Sequence, residues 1–156
     1  MQRRELIRRL AMAVTALALM PLRSLANWNS GAFASQLPEE ALKAAFGRSD
    51  TLPAVEIELK VPTTAYRGAL VPVMVSARLP RVTRMALLVH GNPQPLAALY
   101  EFGPRALPDM ATRIRLLGSS EVSVVVESNG TLFRNSQPVR VLLEGCSGEP
   151  AQEMPS

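Results

Sequence analysis

The 156-residue chain has a single cysteine, Cys146, in the run Leu142-Leu143-Glu144-Gly145-Cys146-Ser147-Gly148-Glu149-Pro150. It lies beyond the last apolar stretch, where core packing has no use for a thiol. Position and context predict a chemical handle on a flexible C-terminal arm. Gly145 and Gly148 remove bulk and widen the accessible backbone conformations, which suits a segment that threads into a narrow cleft on another protein. From Leu143 to Cys146 an extended chain reaches about 10 Å, enough to clear the end of a sheet. No Lys, Arg or His adjoins the thiol, and Glu144 and Glu149 disfavour its ionisation, so only a few per cent is thiolate at neutral pH. The expected chemistry is that of a quiet nucleophile activated inside a partner's active site. The alternative is an interchain disulfide on a non-catalytic interaction subunit, since an unpaired cysteine in a secreted chain allows either.

Other reactive groups are few. His90, the one histidine, precedes Gly91-Asn92-Pro93 and has no nucleophile-elbow pattern to work with. It is expected at a structural or rim position, with a His90-dependent hydrolase as a third alternative. Met74, Met85 and Met110 fall in or beside apolar runs and read as core filler rather than copper ligands. There is no haem-attachment motif, phosphate loop or calcium loop, so no cofactor and no metal site are expected. The expectation is that the chain is not itself an enzyme.

The N-terminal segment sets the compartment. Arg3-Arg4 precedes the apolar run from Leu10 to Met20, which ends before Pro21, Arg23 and the small-residue site Ser24-Leu25-Ala26. A charged start, a short apolar stretch and a small-x-Ala end describe an export signal too short to span a bilayer, and the paired arginines suggest the twin-arginine route. Cleavage after Ala26 is favoured, with Ala34 as a second site. Removing residues 1–26 takes away five arginines (Arg3, Arg4, Arg8, Arg9, Arg23) and one acid (Glu5), which brings the formal charge of +4 close to zero. Without a basic stripe, and with 4% aromatic residues, the remaining chain has no footprint for nucleic acid. A periplasmic protein that meets no membrane after cleavage is expected.

The elements that must position the thiol are mostly strands. Ser35 to Gly47 reads as one short helix, with Pro38 in its first turn and Gly47 at its cap, and no second helix is evident. From Ala54 the texture is β. Val55–Val61 alternates apolar and charged residues, and Leu70–Ala77 follows with Pro72 arguing for an edge or a strand start. Arg84–His90 and Leu96–Phe102 flank the Asn-Pro turn, then come Ala111–Leu117 and Ser119–Ser128. Asn129-Gly130 is the strongest hairpin signal, leading to Thr131–Arg134 and Pro138–Leu143. Eight short strands predict an all-β, immunoglobulin-like β-sandwich with a short N-terminal helix and a C-terminal arm. The expected division is a twin-arginine signal peptide over 1–26, a helical segment over 27–53, the sandwich over 54–143 and the carrier arm and tail over 144–156. Exposed apolar edges such as Val71–Val75 are the expected partner surface.

The succession Gly68-Ala69-Leu70-Val71-Pro72-Val73, Ala86-Leu87-Leu88-Val89, Asn92-Pro93-Gln94-Pro95-Leu96, Thr112-Arg113-Ile114-Arg115 and the cysteine end resembles the SoxY family over almost the whole exported chain. SoxY proteins are the sulfur-carrying subunits of bacterial thiosulfate oxidation. The resemblance implies a swinging arm ending in Gly-Gly-Cys-Gly-Gly, whose cysteine, here Cys146, holds thiosulfate-derived sulfur covalently. It also implies a heterodimer with a SoxZ-like subunit and transient meetings with the haem-containing SoxAX, the hydrolase SoxB and, where present, SoxCD. Twin-arginine export then makes sense as co-export of a preassembled pair. Glu144 and Ser147 stand where the family has glycine, and the chain runs on to Ser156. A bulkier, acidic and longer end is expected to enter clefts less easily and to disfavour anionic cargo.

Overall fold

A computed structural model describes residues 29–66 and 70–142. Two helices come first, α1 (Ser30–Ala34) and α2 (Pro38–Phe46). Asn29 caps α1 by accepting from the Ala32 N–H at 3.1 Å, and its amide nitrogen donates to the Ala44 carbonyl at 2.7 Å, which ties the helices together. In α2, Pro38 opens the first turn, Glu39 and Glu40 complement the helix dipole, and Gly47 closes it at φ 80°. The expectation of a single helix is corrected by α1. Five residues are too short a stretch to display a 3.6-residue period.

Nine strands follow: β1 (Leu52–Pro53), β2 (Ile57–Lys60), β3 (Thr64–Tyr66), β4 (Leu70–Ala77), β5 (Val82–Val89), β6 (Leu96–Glu101), β7 (Asp109–Arg115), β8 (Ser120–Ser128) and β9 (Thr131–Leu142). They form an immunoglobulin-like sandwich. One sheet runs β1-β9-β8-β5-β6, with β3 also on β9, and the other runs β2-β4-β7. Between them lies a core that includes Ile57, Val73, Met85, Leu87, Leu116, Val122, Val124 and Val126.

The larger sheet is buried on its other face as well. Ala86, Leu88, Leu96, Val125 and Leu132 pack there against Ala32, Ala41, Leu42, Ala45 and Phe46 of the helices. This is why Met85–Val89 and Val122–Val126 are buried throughout and, Ser123 apart, apolar, whereas β2 and β4 alternate strictly. Burying a side chain such as Leu42 or Phe46 contributes about 1.5–3 kcal/mol, so α2 is held by its apolar stripe. A charged contact fixes its end. Arg84 reaches from β5 to Glu127 on β8, at 2.8 Å and 3.0 Å, donates to the Ala45 carbonyl at 2.6 Å, and lies 4.9 Å from the Phe46 ring centre.

Two strand expectations change. The runs 131–134 and 138–143 form one strand, β9. On its outer edge β9 pairs with β1 at Phe133–Arg134 and with β3 at Arg140–Leu142, and Pro138 falls in the gap between them, where its missing donor breaks no ladder. The two- and three-residue strands β1 and β3 are too short to register as periodic runs. Asn129 and Gly130 turn the β8–β9 hairpin at φ 49° and 76°, the two positive values a type I′ turn requires.

The expected apolar edge at Val71–Val75 is also corrected. Val71, Val73 and Val75 point into the core at 2%, 0% and 3% exposure. Their neighbours Leu70, Pro72 and Met74 face outward instead. Met85 is core as expected, while Met74 is on the surface. Pro72 lies beyond the end of β2, which stops opposite Met74, so it occupies an edge-like part of β4.

Candidate functional site: the root of the C-terminal arm

Cys146 and its neighbours Gly145, Ser147 and Gly148 lie outside the described residues. The structure describes what holds the strand that leads to them. Near its C-terminal end, β9 pairs antiparallel with β8 as far as Val139 opposite Ser120, and parallel with β3 through Thr64–Arg140, Ala65–Val141 and Tyr66–Leu142. Beyond the reach of β8, the Ser119 hydroxyl takes over and accepts from the Val141 N–H at 2.9 Å. The backbone is thus fastened to within four residues of Cys146 on its β3 side and five on the other, four residues being a reach of about 13 Å when extended.

Two residues of the β5–β6 turn brace this end of the sandwich. The Asn92 side-chain amide donates to the Arg115 carbonyl at 2.8 Å, and its oxygen accepts from the Leu117 N–H at 3.1 Å. One asparagine thereby extends the β7 ladder and staples the β5–β6 turn of one sheet to the other. Gly91 lets that turn approach β8: its N–H donates to the Ser120 hydroxyl at 2.8 Å, and a methyl group added at Gly91 would stand 2.8 Å from the Ser120 Cβ. In sequence, Gly91-Asn92-Pro93 reads only as a turn. Its clamping role depends on strands distant along the chain.

The surface around the root is apolar with a basic fringe. Tyr66, Leu70, Leu117 and Leu142 are 57%, 60%, 47% and 41% exposed, and Arg115 and Arg140 are exposed on the strands that bear them. Grouped exposed apolar side chains of this kind mark contact surfaces. The sequence hides them because each sits at the end of a run whose other members are core.

His90 lies elsewhere, just past β5 on the helix-covered face. Its Nε2 shares a hydrogen bond of 2.7 Å with the hydroxyl of Ser123, and its backbone N–H donates to the Glu121 carbonyl at 3.0 Å. Burial pushes the imidazole below its ordinary value of 6.5; Glu121 opposes this and Arg134 adds to it. A cavity of about 610 Å³ between α2 and the sheet is bordered by Leu42, Leu88, His90, Glu121, Ser123 and Arg134. Ser123, at 1% exposure and in mid-strand, spends its hydroxyl on the imidazole, which is the structural role expected for His90. Among the described residues, no cluster of His, Cys, Asp and Glu could hold a metal.

Comparison with known families settles the kinship. The family described as sulfur oxidation protein SoxY matches residues 42–146. The chain belongs to the SoxY family. The match ends on Cys146. The solved structure of the sulfur carrier protein SoxY from Chlorobium limicola f thiosulfatophilum is 32% identical, with a TM-score of 0.59, covering 66% of this chain and 94% of that one. Superoxide reductase (neelaredoxin) from Ignicoccus hospitalis is 16% identical, with a TM-score of 0.50 over 55% of this chain and 80% of that one. A variant of that enzyme is 18% identical, with a TM-score of 0.51 over 69% and 90%. At such identities these two show the sandwich fold alone. No curated protein matches. Membership in the SoxY family gives the chain a sulfur carrier role in sulfur oxidation, within a Sox system.

Proposed function

We propose that the chain is a periplasmic carrier that holds sulfur intermediates of thiosulfate oxidation on Cys146 and takes no catalytic part itself. In the loading step the Cys146 sulfur bonds to the outer sulfur of thiosulfate, the thiol proton leaves, and two electrons pass to the haem of the SoxAX loading enzyme. SoxB then adds water across the terminal S–S bond of the cysteine S-thiosulfonate, which releases sulfate and leaves a persulfide. Oxidation of that persulfide sulfur, by SoxCD where present, and a further hydrolysis return the thiol. A tethered substrate meets successive enzymes at high effective concentration, which is the gain a carrier offers.

The observation that carries this reading is that the family match runs to Cys146, the one cysteine, four residues past a strand fastened on both edges. A root held on both edges four to five residues before the thiol supports a carrier whose cysteine is offered to partners. Export by the twin-arginine route, together with a SoxZ-like subunit lacking its own signal, fits the Arg3-Arg4 segment.

A reconstituted Sox system tests the proposal. Thiosulfate-dependent cytochrome reduction should stop with Cys146→Ser and continue with His90→Ala. Loss with His90→Ala and retention with Cys146→Ser would instead favour a hydrolase.

A further inference from the structure

The helices cover the larger sheet only in part. The end of α2 lies at the start of β5, where Arg84 donates to the Ala45 carbonyl, so the helix begins toward the other end of that strand. There β5 runs past Leu88 to His90, and β8 comes in beside it with Glu121 and Ser123. Each of these alternates with a residue of the core between the sheets, Val89, Val122 or Val124, and so stands on the helix side. Arg134 stands there too, on β9 opposite Val125.

The hollow of about 610 Å³ lies over these residues. One wall is the start of α2, with Leu37, Pro38 and Glu39, and the other is the segment of Ser49 and Thr51 that leads into β1. Leu42 and Leu88, at 7% and 0% exposure, give it an apolar interior. The polar groups of its floor, His90 and Ser123, bond to each other at 2.7 Å. Its charges are sorted by position. Arg134 lies beside the Ser49 and Thr51 segment, since β1 meets β9 at Pro53–Arg134, and its exposed guanidinium has no ion-pair partner among the described residues. Glu121 comes four residues before Val125 on β8, about 14 Å along the strand, and Glu39 in the first turn of α2 shares that end.

We propose that this hollow binds an aliphatic monocarboxylate of medium chain length. A guanidinium without an acid beside it takes a carboxylate through paired hydrogen bonds, and the hydroxyls of Ser49 and Thr51 are further donors at that end. The alkyl chain then lies over Leu42 and Leu88, and Leu37, 56% exposed in the structure, lengthens the apolar wall. The volume falls in the range of roughly 300–1,000 Å³ usual for small-molecule sites. The acids at the far end set the specificity, because a second carboxylate would face Glu39 and Glu121, like charge on like charge. An inorganic anion would leave the apolar interior unfilled. The proposal goes beyond the carrier reading and involves neither Cys146 nor its cargo, so either can fail alone.

Heteronuclear NMR titration of the chain with sodium octanoate through the millimolar range tests it. Saturable shifts are expected at the amides of Leu42, Leu88, Ser123 and Arg134. Arg134→Gln should weaken octanoate about tenfold or more, as loss of a charge-assisted pair does. Suberate, the dicarboxylate of the same length, should bind the wild type about tenfold more weakly than octanoate. Glu39→Gln together with Glu121→Gln should leave octanoate within about threefold and bring suberate close to it. All three positions are exposed, and an unchanged far-ultraviolet circular dichroism spectrum confirms folding. The proposal is overturned by shifts that never saturate and spread over the whole surface, by octanoate binding indifferent to Arg134→Gln, by suberate binding the wild type as well as octanoate does, by a suberate gap that the double variant leaves unchanged, or by octylammonium binding more tightly than octanoate.

Discussion

Replacing Arg84 by Ala should loosen α2 from the sheet without touching the arm. The guanidinium makes two charge-assisted bonds to Glu127, donates to the Ala45 carbonyl and lies over Phe46. The ion pair is only partly shielded, with side chains 30% and 16% exposed, so water recovers part of the loss. Two bonds to a charge of about 1 kcal/mol each after that discount, and about 0.5 kcal/mol for the ring contact, give a destabilisation of about 2–3 kcal/mol near neutral pH. The pH dependence identifies the cause. Hydrogen bonding from Arg84 holds the Glu127 carboxyl below its ordinary 4.5, with Thr83 helping and burial opposing. A carboxyl depressed in the folded state stabilises the protein above its unfolded value and loses that contribution as pH falls through the folded one. The gap between wild type and Arg84→Ala should therefore narrow below about pH 4.5. Urea unfolding at neutral pH and near pH 3 measures both quantities. A cost below about 0.5 kcal/mol, or one that does not change with pH, would refute the reasoning.

Three further outcomes follow from the same geometry. Gly91→Ala should destabilise by about 1–3 kcal/mol, because the new methyl group would press on the Ser120 Cβ, and a chemical denaturation curve indistinguishable from wild type would count against the close approach. Asn92→Ala removes both bonds that staple the sheets and should cost about 1–2 kcal/mol while increasing amide exchange at Leu117, read by hydrogen exchange; unaltered exchange there would deny the staple. His90 is held below 6.5 mainly by burial, so the unfolded chain takes up its proton first on acidification, and stability should fall as pH drops below about 6.5. That slope should vanish in His90→Gln, and its survival would assign it to another group.

The longer strands and the hairpin could be read from the sequence, those with one wet face by their alternation and β5 and β8 by their β-branched and apolar runs. The alternation in β2, β4 and β7 and the Asn129-Gly130 turn state their structure locally. Burial on both faces removed the alternation from β5 and β8, so the sequence did not show that the helices cover them. Pro138 implied a break that the gap between β1 and β3 makes unnecessary, and Val71, Val73 and Val75 looked like a surface because an alternating strand does not say which of its faces is inward. The thiol stands out in the sequence as a lone cysteine beyond the last apolar stretch, and it lies outside the described residues. The clamps of Asn92, Gly91 and Ser119 at the arm root were not legible, since each bonds to a partner more than twenty residues away.

The central claim is that Cys146 bears the sulfur. Intact and peptide mass spectrometry of the wild-type chain after one round with thiosulfate and the SoxAX loading enzyme tests it most directly. The account predicts the mass of one thiosulfonate group, located on the peptide containing Cys146 and removed by reductant. A chain that stays unmodified, or that shows only a disulfide-linked dimer, would contradict it.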